Sequence, residues 1–532
     1  MKRKVCAITA LLMLVIAPFV AVAQRQANDA TTQLQKLNRF YRYLHGMYVD
    51  SVAMAPIVES AIRGMLEELD PHSAYLDAEE MKAAEETMQG SFSGIGIEYN
   101  IHNDSIIVVN TIVQGPADKA GLQPNDRIVE IDGDNVVGIS RNEVPPKLRG
   151  ERGSTVRIGV ARHGVKEILP FSIVRDNIPI NSIDAVFKQG STGYIKVNRF
   201  ERNTMREFEE AMQQLGQVES LILDLCGNGG GLLDQAIDMA GYFLPPRTLI
   251  TSIEGRAVMP EQRRSTRGGL FNGRLVVLID GNSASGSELV AGAIQDWDRG
   301  VIVGKHSFGK GLVQRQVPMG DGSAIRLTIA RYHTPSGRVI QRPYERGQKE
   351  EYYRAHTSRL LGEQSDSVVT DRPAYKTLLS GRTVYGGGGI EPDIQVESDT
   401  TDVSDYMVRV MAQGVENEFL MDYLDKNRSR LVADYPTFES FESNFKLSDE
   451  ELRRMTALAS KKGVEFDEAG FNRSRTLMQH RLTAMIAQRL FSSTEFYRYM
   501  NSRENQYYIK AMEVLDNWSE MGEKTLSAQT DK

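Results

Sequence analysis

Two stretches of this chain carry residues that could do chemistry. The first is GKHSFGKG, residues 304–311, directly after the apolar run Val301, Ile302, Val303. It matches the phosphate-binding pattern G-x-x-x-x-G-K-[ST] until its last position, where Gly311 replaces the hydroxyl that would hold magnesium. A phosphate loop should also open a helix whose free N–H groups face the anion. The chain beyond Lys310 reads otherwise: LVQRQVPM is extended, GDG is a hairpin turn, and AIRLTIARY alternates apolar and polar positions. No nucleotide is therefore expected, and Lys310 needs another task.

The second stretch lies 25 residues upstream of Lys310. NSASGSELVAGAIQDW puts three serines, Ser283, Ser285 and Ser287, between a buried strand (GRLVVLIDG) and a helix. A hydroxyl at such a turn stands beside free helix N–H groups that can stabilise an oxyanion. Plain N-capping is the competing role. A third loop, DLCGNGGG after LIL, offers bare amides. All three loops come after apolar strands, and in parallel sheets such loops converge on one crevice. No G-x-S-x-G elbow is present. A serine, a lysine and a glycine amide loop together point to a Ser–Lys hydrolase. Spacing does not choose among the three serines. His306, near Lys310, offers a competing Ser-His-Asp reading, and the remaining histidines lack metal-ligand spacing, so no metal and no cofactor are expected.

The elements that must position these loops are legible in outline. With 532 residues, several domains are expected. Composition is 41% apolar and 25% charged, ordinary for packed cores, and a net charge of −7 gives no reason to expect nucleic acid. Lys2, Arg3 and Lys4, an apolar run from Val5 to Val20, and Ala21-Val22-Ala23 read as a signal peptide over residues 1–23. The alternative is an uncleaved membrane anchor, although the run is short for a span. The reading implies export to the periplasm. Cys6 falls in the signal, so Cys226 is the lone cysteine of the mature chain and no internal disulfide can form.

Residues 24–88 read as a helical region, with Leu34, Leu37, Tyr41 and Leu44, then Ile57, Ala61, Met65 and Leu69, at helical spacing. Asp77 and Glu80 predict a capped helix start. Residues 89–176 alternate short strands with turn signals. The run PADKAGLQPNDRIVEIDG predicts a short helix ended by Gly121, a turn at residues 124–126 and another at Asp132-Gly133. This block closely resembles a PDZ domain. The resemblance implies that the loop Ser93, Gly94, Ile95, Gly96, Ile97 captures the C-terminal carboxylate of an extended peptide through its amides. Residues 177–400 alternate strand and helix and predict an α/β core of mainly parallel strands, closed by YGGGGIEPDI. Residues 401–532 read as helices, the region where a homo-oligomer or adaptor contact is expected. The fold class is thus multidomain α/β: an α/β core of mainly parallel strands with an inserted, mainly-β PDZ domain and helical terminal regions.

Taken together, LDPHSAYL, the PDZ block, DLCGNGGG, SASGSE, FGKGLVQ and GGGGIEPDI span residues 65–395. In that order they resemble the C-terminal processing peptidases, or tail-specific proteases. The resemblance implies Ser285 as nucleophile, Lys310 as general base, Gln314 as the residue orienting its amine, and backbone N–H groups of Gly286 and Gly230 as oxyanion donors. It implies protein or peptide substrates with free C-termini, cleaved through an acyl-enzyme. Two positions depart from the family pattern: Cys226 stands where Arg is usual and Gly286 where Ala is frequent. Cys226 is expected to be buried and inert. The rival class is a non-catalytic PDZ scaffold of the periplasm, against which intact Ser285, Lys310 and Gln314 argue.

Overall fold

The computed structural model describes residues 30–527 except 103, 113, 163, 363–371 and 398. The expected signal peptide, residues 1–23, lies outside the described residues. The chain divides into two compact units at Leu69 and Asp70. The first holds a helix over residues 30–47 and another at Met54–Glu67. All elements from Asp70 onward belong to the second.

Six strands form the central sheet, in the spatial order β1 (Ile183–Gln189), β2 (Thr192–Val197), β3 (Ser220–Asp224), β4 (Arg274–Ile279), β5 (Val301–Gly304) and β6 (Ile394–Gln395). β1 pairs antiparallel with β2, and all later pairs are parallel. GGGGIEPDI does close the sheet, as its edge strand β6. Both faces are apolar, and the two-residue period sorts them. Leu221, Leu223, Leu275, Val277, Ile279 and Ile302 share one core with α1 (Thr204–Leu215), α2 (Leu233–Phe243) and α3 (Gly286–Asp296). Ile222, Val276, Leu278, Val301 and Val303 face the other way, against Tyr508, Ala511, Val514 and Leu515 of the helix Gln506–Asp516. The chain's last helices thus cover the back of the central sheet.

A second sheet stands beside the first. Ala324–His333 pairs antiparallel with Ala74–Leu76, Leu249–Gly255 and Leu312–Pro318, and Leu249–Gly255 also pairs with Val258–Arg264. The extended reading after Lys310 is correct: the loop enters a strand, so Lys310 does not open a helix.

The PDZ block is an antiparallel sheet of Ile97–His102, Ser105–Thr111, Arg127–Ile131, Thr155–Ala161 and Leu169–Val174 around its own core of Ile106, Val108, Ile128, Val156 and Val160. Its short helix, Pro116–Ala120, ends at Gly121 in the left-handed conformation. The helix Ala78–Gln89 starts as its sequence predicts: Asp77 accepts the N–H groups of Glu79 and Glu80, and Glu80 accepts that of Asp77. Helices from Asp405 to Asn501 form a further bundle around Phe419, Leu420, Phe441, Leu452, Met478 and Leu482.

Candidate active site

The three loops converge as the strand order requires. The glycine loop leaves β3, the serine turn leaves β4 and the lysine loop leaves β5, three neighbouring parallel strands. Between them and the helix Ala78–Gln89 opens a cleft of about 820 Å³. Ser285, Gly286, Lys310, Gln314, Gly230 and Tyr332 all line it.

Hydrogen bonding distinguishes the three serines that spacing left alike. Ser283 donates its hydroxyl to the Leu225 carbonyl at 2.8 Å, and Ser287 donates to the Asn228 carbonyl at 2.8 Å. Both side chains are buried and tie the serine turn to the glycine loop. The Ser285 hydroxyl faces the cleft and donates to no acceptor among the described residues. Its oxygen only completes a capping box with the Glu288 N–H. The Ser285 backbone is strained: φ is +55°, in the left-handed region that disfavours a side chain. Such strain persists only where the surroundings over-determine it, and here they do. Glu288, the third residue of α3, accepts the Ser285 N–H at 2.8 Å, while the Tyr332 hydroxyl meets the Ser285 carbonyl at 3.0 Å.

The same two side chains grip Lys310. Glu288 accepts the N–H groups of Lys310 at 2.8 Å and Gly309 at 2.7 Å, and also the Ser307 hydroxyl. Tyr332 reaches the Lys310 carbonyl at 2.7 Å. One carboxylate therefore holds both backbone N–H groups, and one phenol both carbonyls, of the serine and the lysine. Burial raises the Glu288 pKa, and the Ser307, Lys310, Gly309 and Ser285 donors oppose that rise.

Lys310 Nζ donates to Gln314 Oε1 at 3.1 Å, and Gln314 Nε2 donates to the His72 carbonyl at 2.6 Å. The glutamine is thus locked at both ends, with its acceptor turned to the amine. Burial pushes the lysine pKa down, the nearby Arg326 guanidinium pushes it further, and Glu288 and Asp70 work against both. Ser285 and Lys310 share no hydrogen bond among the described residues.

The two expected oxyanion donors differ. The Gly286 N–H has no partner among the described residues. The Gly230 N–H already donates to Asn228 Oδ1 at 2.8 Å, a local turn that uses it to shape the glycine loop. Gly286 is not a loose helix start either. A Cβ there would lie 3.0 Å from a Phe200 ring carbon and 3.2 Å from Ala236 Cβ, so this helix end is packed.

In the PDZ loop, Ser93 and Gly94 pair with Asn177 and Asp176, and the Ser93 hydroxyl is buried without a partner among the described residues. The buried Ile95 and Gly96 keep their N–H groups unpaired among the described residues, while their carbonyls accept from Ala117 and Ile112. Ile97 begins the edge strand. Cys226 is partly buried; burial and the Asp224 charge push its thiol well up, away from the reactive thiolate. His306 is held near pKa 3 by burial and Arg372, and its Nε2 lies 2.8 Å from Arg372 Nη1 rather than at the serine.

Sequence reasoning missed Glu288, Tyr332 and the His72 carbonyl. The first had a signal: Ser285-x-x-Glu288 is capping-box spacing. Tyr332 is one aromatic in an alternating strand, and nothing in its spacing marks it.

Known proteins share both the core and the PDZ block. Peptidase family S41 matches residues 191–347, which include Ser285, Lys310 and Gln314. The PDZ domain family matches residues 93–170, the N-terminal domain of the activating protease CtpB residues 18–80, and a family of unknown function residues 406–492. A carboxy-terminal-processing protease of Bartonella bacilliformis is 37% identical over 329 residues, covering 60% of this chain and 75% of that protein. The carboxy-terminal processing protease CtpB of Bacillus subtilis is 36% identical over 331 residues, covering 61% and 68%. CtpA of the same organism is 29% identical over 452 residues, covering 83% and 93%.

Proposed function

Because this chain belongs to the carboxy-terminal-processing serine proteases of peptidase family S41, with a PDZ domain, we propose that it is an exported endopeptidase working through a Ser285–Lys310 dyad. The single observation that carries the dyad is the cleft itself. It holds one serine at a helix start with its hydroxyl proton unengaged, and one lysine whose pKa is pressed down, with its amine aimed by Gln314.

The substrate is the C-terminal tail of a protein. The free amides of Ile95 and Gly96 suit its carboxylate, and the edge strand beginning at Ile97 can pair with its backbone. The tail brings a peptide bond to Ser285. Neutral Lys310 takes the Ser285 proton as Oγ bonds to the scissile carbonyl carbon. The Gly286 N–H, at the positive end of α3, meets the oxyanion. Lys310 then gives that proton to the departing amine, leaving an ester on Ser285. Water attacks the ester carbonyl while Lys310 takes its proton; the acyl C–Oγ bond then breaks, Lys310 returns the proton to Ser285 Oγ, and the new C-terminal acid leaves. A lysine with the ordinary pKa of about 10.4 would hold its proton at neutral pH, so burial is what makes the residue a base.

The test is cleavage of an unstructured peptide monitored by mass spectrometry. Ser285→Ala and Lys310→Ala should each lose at least about 10³-fold in kcat, and rapid quenching of the wild type should reveal an acyl adduct on Ser285. Persistent cleavage by Lys310→Ala would remove the lysine from the mechanism. Export rests on residues 1–23 of the sequence: the mature protein should begin at Gln24 and fractionate with the periplasm.

A further inference from the structure

Gln316 and Arg326 touch none of the reacting atoms above, yet both line the cleft. They stand directly opposite each other on paired strands, two residues beyond the Gln314–Thr328 pair. The two-residue period puts Gln316 on the same face as Gln314. Gln316 Nε2 is sealed from solvent and has no hydrogen-bond partner among the described residues. The Arg326 side chain makes neither ion pair nor hydrogen bond among them, although its charge is felt at Lys310. No carboxylate of the protein takes up the guanidinium among the described residues. Asp70 accepts from Ser73, His72 and Thr328; Glu288 accepts four donors; Glu201, which also lines the cleft, lies 3.4 Å from Arg199, and its two buried oxygens accept no hydrogen bond among the described residues.

Two donor groups thus stand side by side in the cleft with no acceptor bonded to either among the described residues. A sealed donor without a partner is unfavourable, and a ligand acceptor relieves it. The unpaired guanidinium selects charge, since its planar fork matches a carboxylate. We infer that Gln316 and Arg326 form a carboxylate-binding subsite of the cleft. Two residues along a strand is about 7 Å, so an extended substrate passing Ser285 would place that carboxylate two or three residues from the scissile bond. The group can be an Asp or Glu side chain, or the terminal carboxylate of a short chain ending there. This inference rests on the Ser285–Lys310 reading.

The experiment uses the full chain and a set of peptides sharing one cleavage site. One arm moves a single Glu, or its Gln isostere, through the second and third positions on either side of that site. The other arm ends the peptide two or three residues beyond it, as free acid or as amide. One carboxylate-bearing member should exceed its neutral isostere about tenfold in kcat/KM, and the arm in which it falls identifies the source. Arg326→Glu should invert that ratio, favouring a Lys-bearing peptide, and Gln316→Leu should shrink it. The ratio is internal to each variant, so altered Lys310 basicity cancels. Equal rates for every acid–isostere pair in the wild type would overturn the subsite while leaving the dyad standing. Failure to cut any peptide would instead remove the dyad on which the subsite rests.

Discussion

As the proposed base, Lys310 acts only when neutral, and its surroundings lower its pKa towards that form. Its pKa is lowered in the fold, so between the folded and unfolded values the unfolded chain binds the extra proton. The group therefore opposes folding at neutral pH, and its cost fades as pH rises through the unfolded value. Lys310→Met should abolish cleavage yet raise the thermal midpoint at pH 7 by about 1–3 °C; calorimetry decides, and a lower midpoint would contradict the depressed pKa. For the same reason kcat/KM should rise with pH along the limb governed by Lys310. Arg326→Gln removes a neighbouring cation, so that limb should move to higher pH. Glu288 acts differently, through backbone. Glu288→Ala frees the N–H groups of both Ser285 and Lys310. It should lower kcat about 10–100-fold with little change in KM, since misplacing a reacting group by about 1 Å costs that much; a pure KM effect would deny it this role.

Elements, more than residues, were legible in the sequence, and the reason is periodicity. β4 and β5 announce themselves as short apolar runs ended by glycine turns, and the strand after Lys310 by its alternation. That was enough to reject a phosphate loop and to bring three loops to one sheet edge. Which serine is free was not legible, because Leu225 and Asn228, which occupy Ser283 and Ser287, lie 58 and 59 residues away. Nor was the tightness of the glycine loop. At Gly231, φ is +147° and a Cβ would lie 2.0 Å from the Phe200 carbonyl oxygen. Backbone cannot yield as a side chain does, so Gly231→Ala should displace the loop from α3, with activity below about 1% of wild type. Near-wild-type turnover would show that the loop can move without harm.

At the scale of the whole molecule, the C-terminal region has two loyalties that its sequence conceals. Residues 401–532 read uniformly as helices, and amphipathic spacing says that a face is buried without saying against what. Asp405 to Asn501 supplies its own core, whereas Tyr508, Ala511, Val514 and Leu515 complete the back of the central sheet more than 200 residues upstream. Tyr508 also donates to Gln189 at 2.6 Å. β3 and β4 carry the glycine and serine loops on their ends, so the sheet cannot shift without moving the site. Burying a large apolar side chain contributes about 1.5–3 kcal/mol, and a domain is stable by only about 5–15 kcal/mol. Truncation after Asn505 should therefore leave a chain that binds hydrophobic dyes, aggregates and cleaves nothing, even with every residue of the cleft present. Leu515→Ala, a gentler cut, should cost about 2–5 kcal/mol in urea unfolding with kcat nearly unchanged at low temperature. A soluble, active chain ending at Asn505 would mean that the sheet holds its loops in place with its back face bare.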